Sequence, residues 1–161
     1  MEATPFRLSL MSVLRCLGWP PPSSRCWYEL EAHGATSSAA AVPTALVIDF
    51  HGSSSETADQ RAAYARIDVA ALAAGEDSMI VAWPQAASNS GWNAGWCCSS
   101  NPAAVDDLGF VLQLVSDVIN RMQATPTPID TQRIYVTGHA DGCMLAQSLL
   151  GWAPGLFAAC A

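Results

Sequence analysis

The apolar residues of this chain fall into runs of two kinds. The first kind is short and nearly continuous, which suits strands buried on both faces of a parallel sheet. Ala45-Leu46-Val47-Ile48-Asp49-Phe50 is the clearest and is closed by His51-Gly52. Residues 78–83 form a second run, closed by Pro84, and a β-branched and aromatic run over 133–137 reaches Gly138. Residues 26–32 read as a further short strand. The second kind recurs at three- and four-residue steps. Val105, Leu108, Leu112, Val115, Ile119 and Met122 form one apolar face of a helix. Asp106 and Asp107 lie in its first turn, where carboxylates suit the helix dipole, and Pro126 and Pro128 end it. Residues 56–74 are Ala-rich and helix-compatible, with Gly75 as a stop. Another helix runs from Met144 to about Leu150. Strands alternating with helices predict an α/β domain with a mostly parallel sheet flanked by helices.

Composition narrows the function classes. The chain has 161 residues, 51% hydrophobic and 13% charged, enough for one compact core and too apolar for general disorder. It carries a formal charge of −7 and no lysine, so a phosphate-binding surface is disfavoured and nucleic acid is not an expected partner. No apolar run is long enough to span a bilayer, so no membrane partner is expected either. Cys16, Cys26, Cys97, Cys98, Cys143 and Cys160 contain no C-x-x-C and have no nearby His pair, so no metal site is expected. Six cysteines suit an oxidising compartment with one or two disulfides; the alternative is that several are small buried apolar groups. Residues 6–19 are mildly apolar, but Arg7 and Arg15 interrupt them and Glu2 replaces a basic start, which makes a poor secretory signal. Pro20-Pro21-Pro22-Ser23-Ser24 reads as a linker. The expected organisation is an N-terminal segment and linker over 1–24, a candidate for targeting, and a domain over 25–161.

One stretch carries candidate chemistry. The strand reaching Gly138 is followed by His139-Ala140-Asp141-Gly142 and then by a helix. Strand, tight turn and helix, with glycines two residues either side of the apex, is the layout of a nucleophile elbow. Side chains at the flanking positions would collide across the turn. The usual pattern is Gly-x-Ser-x-Gly, and here the apex is Ala140.

With Leu46-Val47-Ile48-Asp49-Phe50-His51-Gly52, Ala82-Trp83-Pro84-Gln85, Trp92-Asn93-Ala94-Gly95-Trp96-Cys97-Cys98, Val105-Asp106-Asp107-Leu108-Gly109-Phe110 and Pro154-Gly155-Leu156-Phe157-Ala158-Ala159 in this order, the chain resembles the α/β-hydrolase esterases of the feruloyl esterase and polyhydroxybutyrate depolymerase group. The resemblance implies the N-terminal portion of an α/β-hydrolase fold, with 25–161 as a partial domain. It also implies secretion, no cofactor, and a carboxylic ester as substrate, borne on a polysaccharide, a phenolic or a polyester.

Such a hydrolase needs a nucleophile, a His to activate it, an acid to orient the His, and oxyanion donors. The donors are expected from the backbone N–H of Asp141 and from the loop at Gly52-Ser53. The nucleophile is missing at Ala140. Asp141 stands one residue out of register to replace it, since its upstream flank is His139. His33, His51 and His139 all precede the apex, whereas the fold places acid and base after it. The expectation is an esterase scaffold that is inactive as written, or a non-catalytic binding or interaction protein on that scaffold. His51 is expected to position the loop beside the substrate. Trp83, Trp92 and Trp96 could line a substrate cleft or serve as core anchors. Cys97 and Cys98 are not expected to pair with each other; a Cys98–Cys143 type of bridge would hold the Trp-rich loop over the elbow. The strand at 133–137 is expected to leave an unpaired edge, open to self-association.

Overall fold

The computed structural model describes residues 13–18, 24–32, 43–53, 57–64, 79–87, 91–95, 97–98 and 105–161. In chain order its elements are β1 (Val13–Gly18), β2 (Ser24–Ala32), β3 (Thr44–Phe50), α1 (Ala58–Tyr64), β4 (Met79–Pro84), α2 (Asp107–Met122), β5 (Ile129–Gly138), α3 (Asp141–Trp152) and β6 (Ala159–Cys160). The strands form one sheet in the order β1-β2-β4-β3-β5-β6. The β4-β3-β5-β6 part is parallel, and β2 and β1 continue it antiparallel. The β-branched run at 45–50 takes the centre because it can be buried on both faces; Leu46, Ile48 and Phe50 are fully buried.

Three expectations change. Residues 13–18, read as part of a leading segment, are an edge strand of the sheet. Cys16 lies opposite Cys26 in the β1–β2 register and is bonded to it, which ties the strand to the domain. The open edge expected at 133–137 is partly covered, because β6 pairs with Tyr135 and Val136. The buried face of α2 is Asp107, Phe110, Val111, Leu114, Val115, Val118 and Met122, while Leu112 is exposed. The helix is turned by roughly one residue step, about 100°, from the predicted stripe. The buried side is a second apolar stripe at i, i+4 spacing, Phe110, Leu114 and Val118 with Val111, Val115 and Met122, and at its start Arg25 of β2 forms a buried ion pair with Asp107 and lies over the Phe110 ring at 4.1 Å.

Glu29 joins three elements. Its buried carboxylate accepts from Arg15 of β1 (2.9 Å), Trp27 of β2 (3.0 Å) and Arg121 of α2 (2.7 Å). Burial opposes its ionisation, but the hydrogen bonds from Trp27, Arg121 and Arg15, with the charge of Arg121, outweigh that and hold its pKa below the ordinary 4.5. A depressed carboxyl contributes stability that is fully present above its unfolded-state pKa and is lost as pH falls through 4.5 toward the folded value. Unfolding midpoints measured from neutral pH downward are therefore expected to drop below pH 4.5, and the drop should be shallower in Glu29→Gln. Parallel curves for the two proteins would contradict this.

Candidate active site

β3 and β5 are adjacent parallel strands with Phe50 opposite Gly138, so His51 and the turn after Gly138 emerge side by side at their carboxyl ends. In open α/β sheets this is where ligands bind. The turn is two residues long. Ala140 has φ 51° and ψ −117°, a conformation that L side chains rarely adopt and that costs roughly 1–3 kcal/mol. Its surroundings impose it. The His139 N–H donates to Phe50 O at 3.0 Å, and the Gly142 N–H returns to His139 O at 2.9 Å. A Cβ on Gly138 would lie 2.5 Å from the Gly142 carbonyl carbon, and a Cβ on Gly142 would lie 2.5 Å from His51 O and 2.7 Å from Phe50 O. Both flanks must therefore be glycine, and the apex is held in a strained pose although it bears only a methyl.

Gly142 and Cys143 turn their N–H groups back to His139 O and Ala140 O, whereas the Asp141 N–H finds no acceptor among the described residues. The Asp141 side chain is buried; Oδ2 accepts from the Trp92 N–H at 2.9 Å, and Oδ1 has no partner among the described residues. Gly91 crosses here with φ 92°, and a Cβ on it would sit 3.0 Å from Asp141 Cγ and 3.2 Å from Ser53 Cβ. The side chains of Ser53 and Asp141, in the two segments expected to supply oxyanion donors, thus both close on Gly91 beside the elbow.

His51 and Trp92, expected beside the substrate, are both buried. His51 is 2% exposed: Nε2 accepts from the Ala86 N–H at 3.1 Å, so Nδ1 carries the proton and donates to Gly52 O at 2.7 Å. Trp92 is fully buried, edge-on to Phe50 at 5.1 Å between centroids, and its Nε1–H donates to His51 O at 2.8 Å. Both fix the loop after β3. Trp83 is a core anchor as well, donating to the buried Asp49 carboxylate, which also accepts from Nε and Nη2 of Arg61. Trp96 lies outside the described residues, as does His33.

The expected bridge from Cys98 to Cys143 is replaced by a Cys97–Cys98 disulfide. Cys98 has φ 80°, in the left-handed region. The loop faces Met144 rather than Cys143, with Cys97 Sγ and Cys98 Sγ 3.1 and 3.6 Å from its Sδ. Cys143 and Cys160 are free thiols. Burial first, and the nearness of Cys143 second, raise the Cys160 thiol pKa, so Cys160 stays protonated at neutral pH and is no substitute nucleophile.

Two features were missed in the sequence. Asp107, read as a helix-start acid, is buried against Arg25 and also accepts from the Asn93 N–H at 2.7 Å, pinning the loop that covers α3. Its neighbour Asp106 is the true cap, accepting from the Gly109 N–H. The doubled Asp was the available signal, since one cap explains one acid. The other is Trp152, which stands exposed at the end of α3 against Gly95.

No family model matches the chain, and no curated protein matches it in sequence. Solved structures do match. A thermostable esterase superposes with a TM-score of 0.63 at 19% identity, over 92% of this chain and 40% of its own. The acetyl xylan esterase from Aspergillus awamori gives 0.65 at 18%, over 92% and 50%. Native pOPH gives 0.61 at 16%, over 98% and 52%. The chain thus spans about half the length of the structures it matches. At this identity the likeness concerns the fold, and it agrees with the sheet and the flanking helices: this chain has a portion of the α/β-hydrolase fold found in these esterases, with a mixed sheet.

Proposed function

We propose that this chain is an esterase-type scaffold that binds a carboxylic ester at the elbow and does not hydrolyse it through residue 140. The observation that carries this reading is Ala140 at φ 51°. The backbone still bears the strain that presents a nucleophile, and a methyl group has no lone pair with which to attack a carbonyl. The ester carbonyl oxygen would lie against the Asp141 N–H and the backbone at Ser53, where fixed donors need no reorganisation. The substrate class is an ester borne on a polysaccharide, a phenolic or a polyester; one structural neighbour is an acetyl xylan esterase. Two disulfides support an extracellular setting, and no described helix is long and apolar enough to cross a membrane.

Restoring the hydroxyl should not restore the enzyme. His51, at the mouth of the elbow, is buried with both ring nitrogens engaged, and Cys160 is protonated. Ala140→Ser is therefore expected to fall short of a serine esterase by at least about 10²–10⁴, the share a general base supplies. Hydrolysis of p-nitrophenyl butyrate measures this, and robust turnover by Ala140→Ser would overturn it. For binding, methyl ferulate and acetylated xylo-oligosaccharide are titrated by calorimetry against the unaltered chain. The reading expects heat of binding and no released acid; turnover, or no binding of either ester, defeats it.

A further inference from the structure

At the far end of α3, about 16 Å along the helix from the elbow, lies an open cleft of about 380 Å³ lined by Asn93, Gly95, Asp106, Asp107, Leu108 and Trp152. Its size is that of a small-ligand site. Trp152 is 41% exposed, in a domain whose Trp27, Trp83 and Trp92 are all buried. Its ring rests against Gly95, where a Cβ would fall 2.6 Å from Cζ2, so any larger residue would push the indole out of place. The exposed Asp106 carboxylate also lines the cleft. It spends one acceptor position on the Gly109 N–H at 2.7 Å, and the rest of its lone pairs stay available. The floor is rigid: Asn93 N–H is held by Asp107, Asn93 Nδ2 by Val105 O, and Gly95 N–H by Asn93 Oδ1.

We propose that this cleft is a glycan-binding subsite, separate from the elbow, with Trp152 as the stacking platform and Asp106 as the hydroxyl acceptor. A pyranose ring has apolar C–H faces and a rim of hydroxyls that both donate and accept. The cleft offers a matching set: an indole face and the Leu108 side chain for the apolar faces, a carboxylate acceptor, and the indole N–H, which has no acceptor among the described residues. A cation would find only part of this useful. The charge of Asp107 is already balanced by Arg25, leaving one carboxylate, and an indole N–H beside a cation is unfavourable. Placed at the other end of the same helix, the cleft would hold a polysaccharide strand while an ester on it reached the elbow.

The test uses unsubstituted xylohexaose, cellohexaose and mannohexaose, which bear no ester, so their binding and ester binding at the elbow can fail independently. Calorimetric titration of the whole chain should show binding of at least one hexasaccharide. Trp152→Ala should weaken it by about tenfold or more, and Trp152→Phe, which keeps a ring without the N–H, by less. Asp106→Ser keeps the helix cap but draws the acceptor back, and should weaken binding severalfold. The inference is overturned if the unaltered chain binds none of the three, if Trp152→Ala binds them equally well, or if only methyl ferulate is lost on changing Trp152.

Discussion

Asp107→Ala is expected to destabilise the chain by about 3–5 kcal/mol, the cost of leaving one partner of a buried ion pair alone. Arg25 is only 4% exposed, its Nε already lacks a partner among the described residues, and its guanidinium lies over Phe110. The same carboxylate anchors the loop at Asn93, so the loss reaches beyond the pair. A paired replacement separates the two contributions. Arg25→Met with Asp107→Leu should cost less than Asp107→Ala alone, because no charge is stranded, yet should retain a penalty of about 1–3 kcal/mol for the orphaned Asn93 N–H. Urea midpoints at unchanged slope give both numbers. A cost under about 1 kcal/mol for the single change would mean that water reaches Arg25.

The second large effect is steric. Gly142 sits in the first turn of α3, where a larger residue would ordinarily improve helix propensity. Here a Cβ meets His51 O, Phe50 O and Phe50 Cβ at 2.5, 2.7 and 2.8 Å, and two of these are backbone atoms of the central strand and its exit. Neither can retreat without breaking the β3–β5 register. Gly142→Val should therefore cost about 3 kcal/mol or more, at the upper end of overpacking, and should abolish ester binding. Gly151→Ala, near the other end of the same helix with open space around it, should be neutral or slightly stabilising. Equal behaviour of the two variants would show that the elbow tolerates displacement.

Much of the fold could be read in advance because burial on both faces leaves an unambiguous trace. The runs at 45–50 and 78–83 sit in the sheet within one residue of the expected limits, and the glycines at 138 and 142 are there for the collision that the turn predicts. What escaped was set by contacts distant in sequence. Arg25 and Asp107 are 82 residues apart, and nothing local shows that an acid in the first turn of α2 will be buried against an arginine of β2. β1 carries alternating half-exposed residues and Arg15, a weak strand signal that becomes decisive only once Cys16 meets Cys26. The place of Trp92 stays open in the sequence for a related reason: it lies in a polar, glycine-rich stretch that looks exposed, yet it is buried, with its indole N–H donating to His51 O and its backbone N–H to the Asp141 carboxylate. The candidate chemistry at the elbow was legible because one glycine-bounded turn encodes it; the cleft at Trp152 was not, since it joins a helix end to a loop some sixty residues earlier.

The two disulfides differ in what they constrain. Cys16–Cys26 joins residues ten apart, so it closes a loop and removes configurations from the unfolded chain; cutting it would shift the balance between folded and unfolded molecules. Cys97–Cys98 joins neighbours and encloses no chain, so loop-closure entropy is almost absent from its contribution. Its reduction would leave global unfolding nearly where it was and would act locally, freeing two thiols above Met144 and altering the wall of the loop beside the elbow. One reducing agent would thus have two readouts in this molecule, a melting curve for the first bond and the shape of a surface loop for the second.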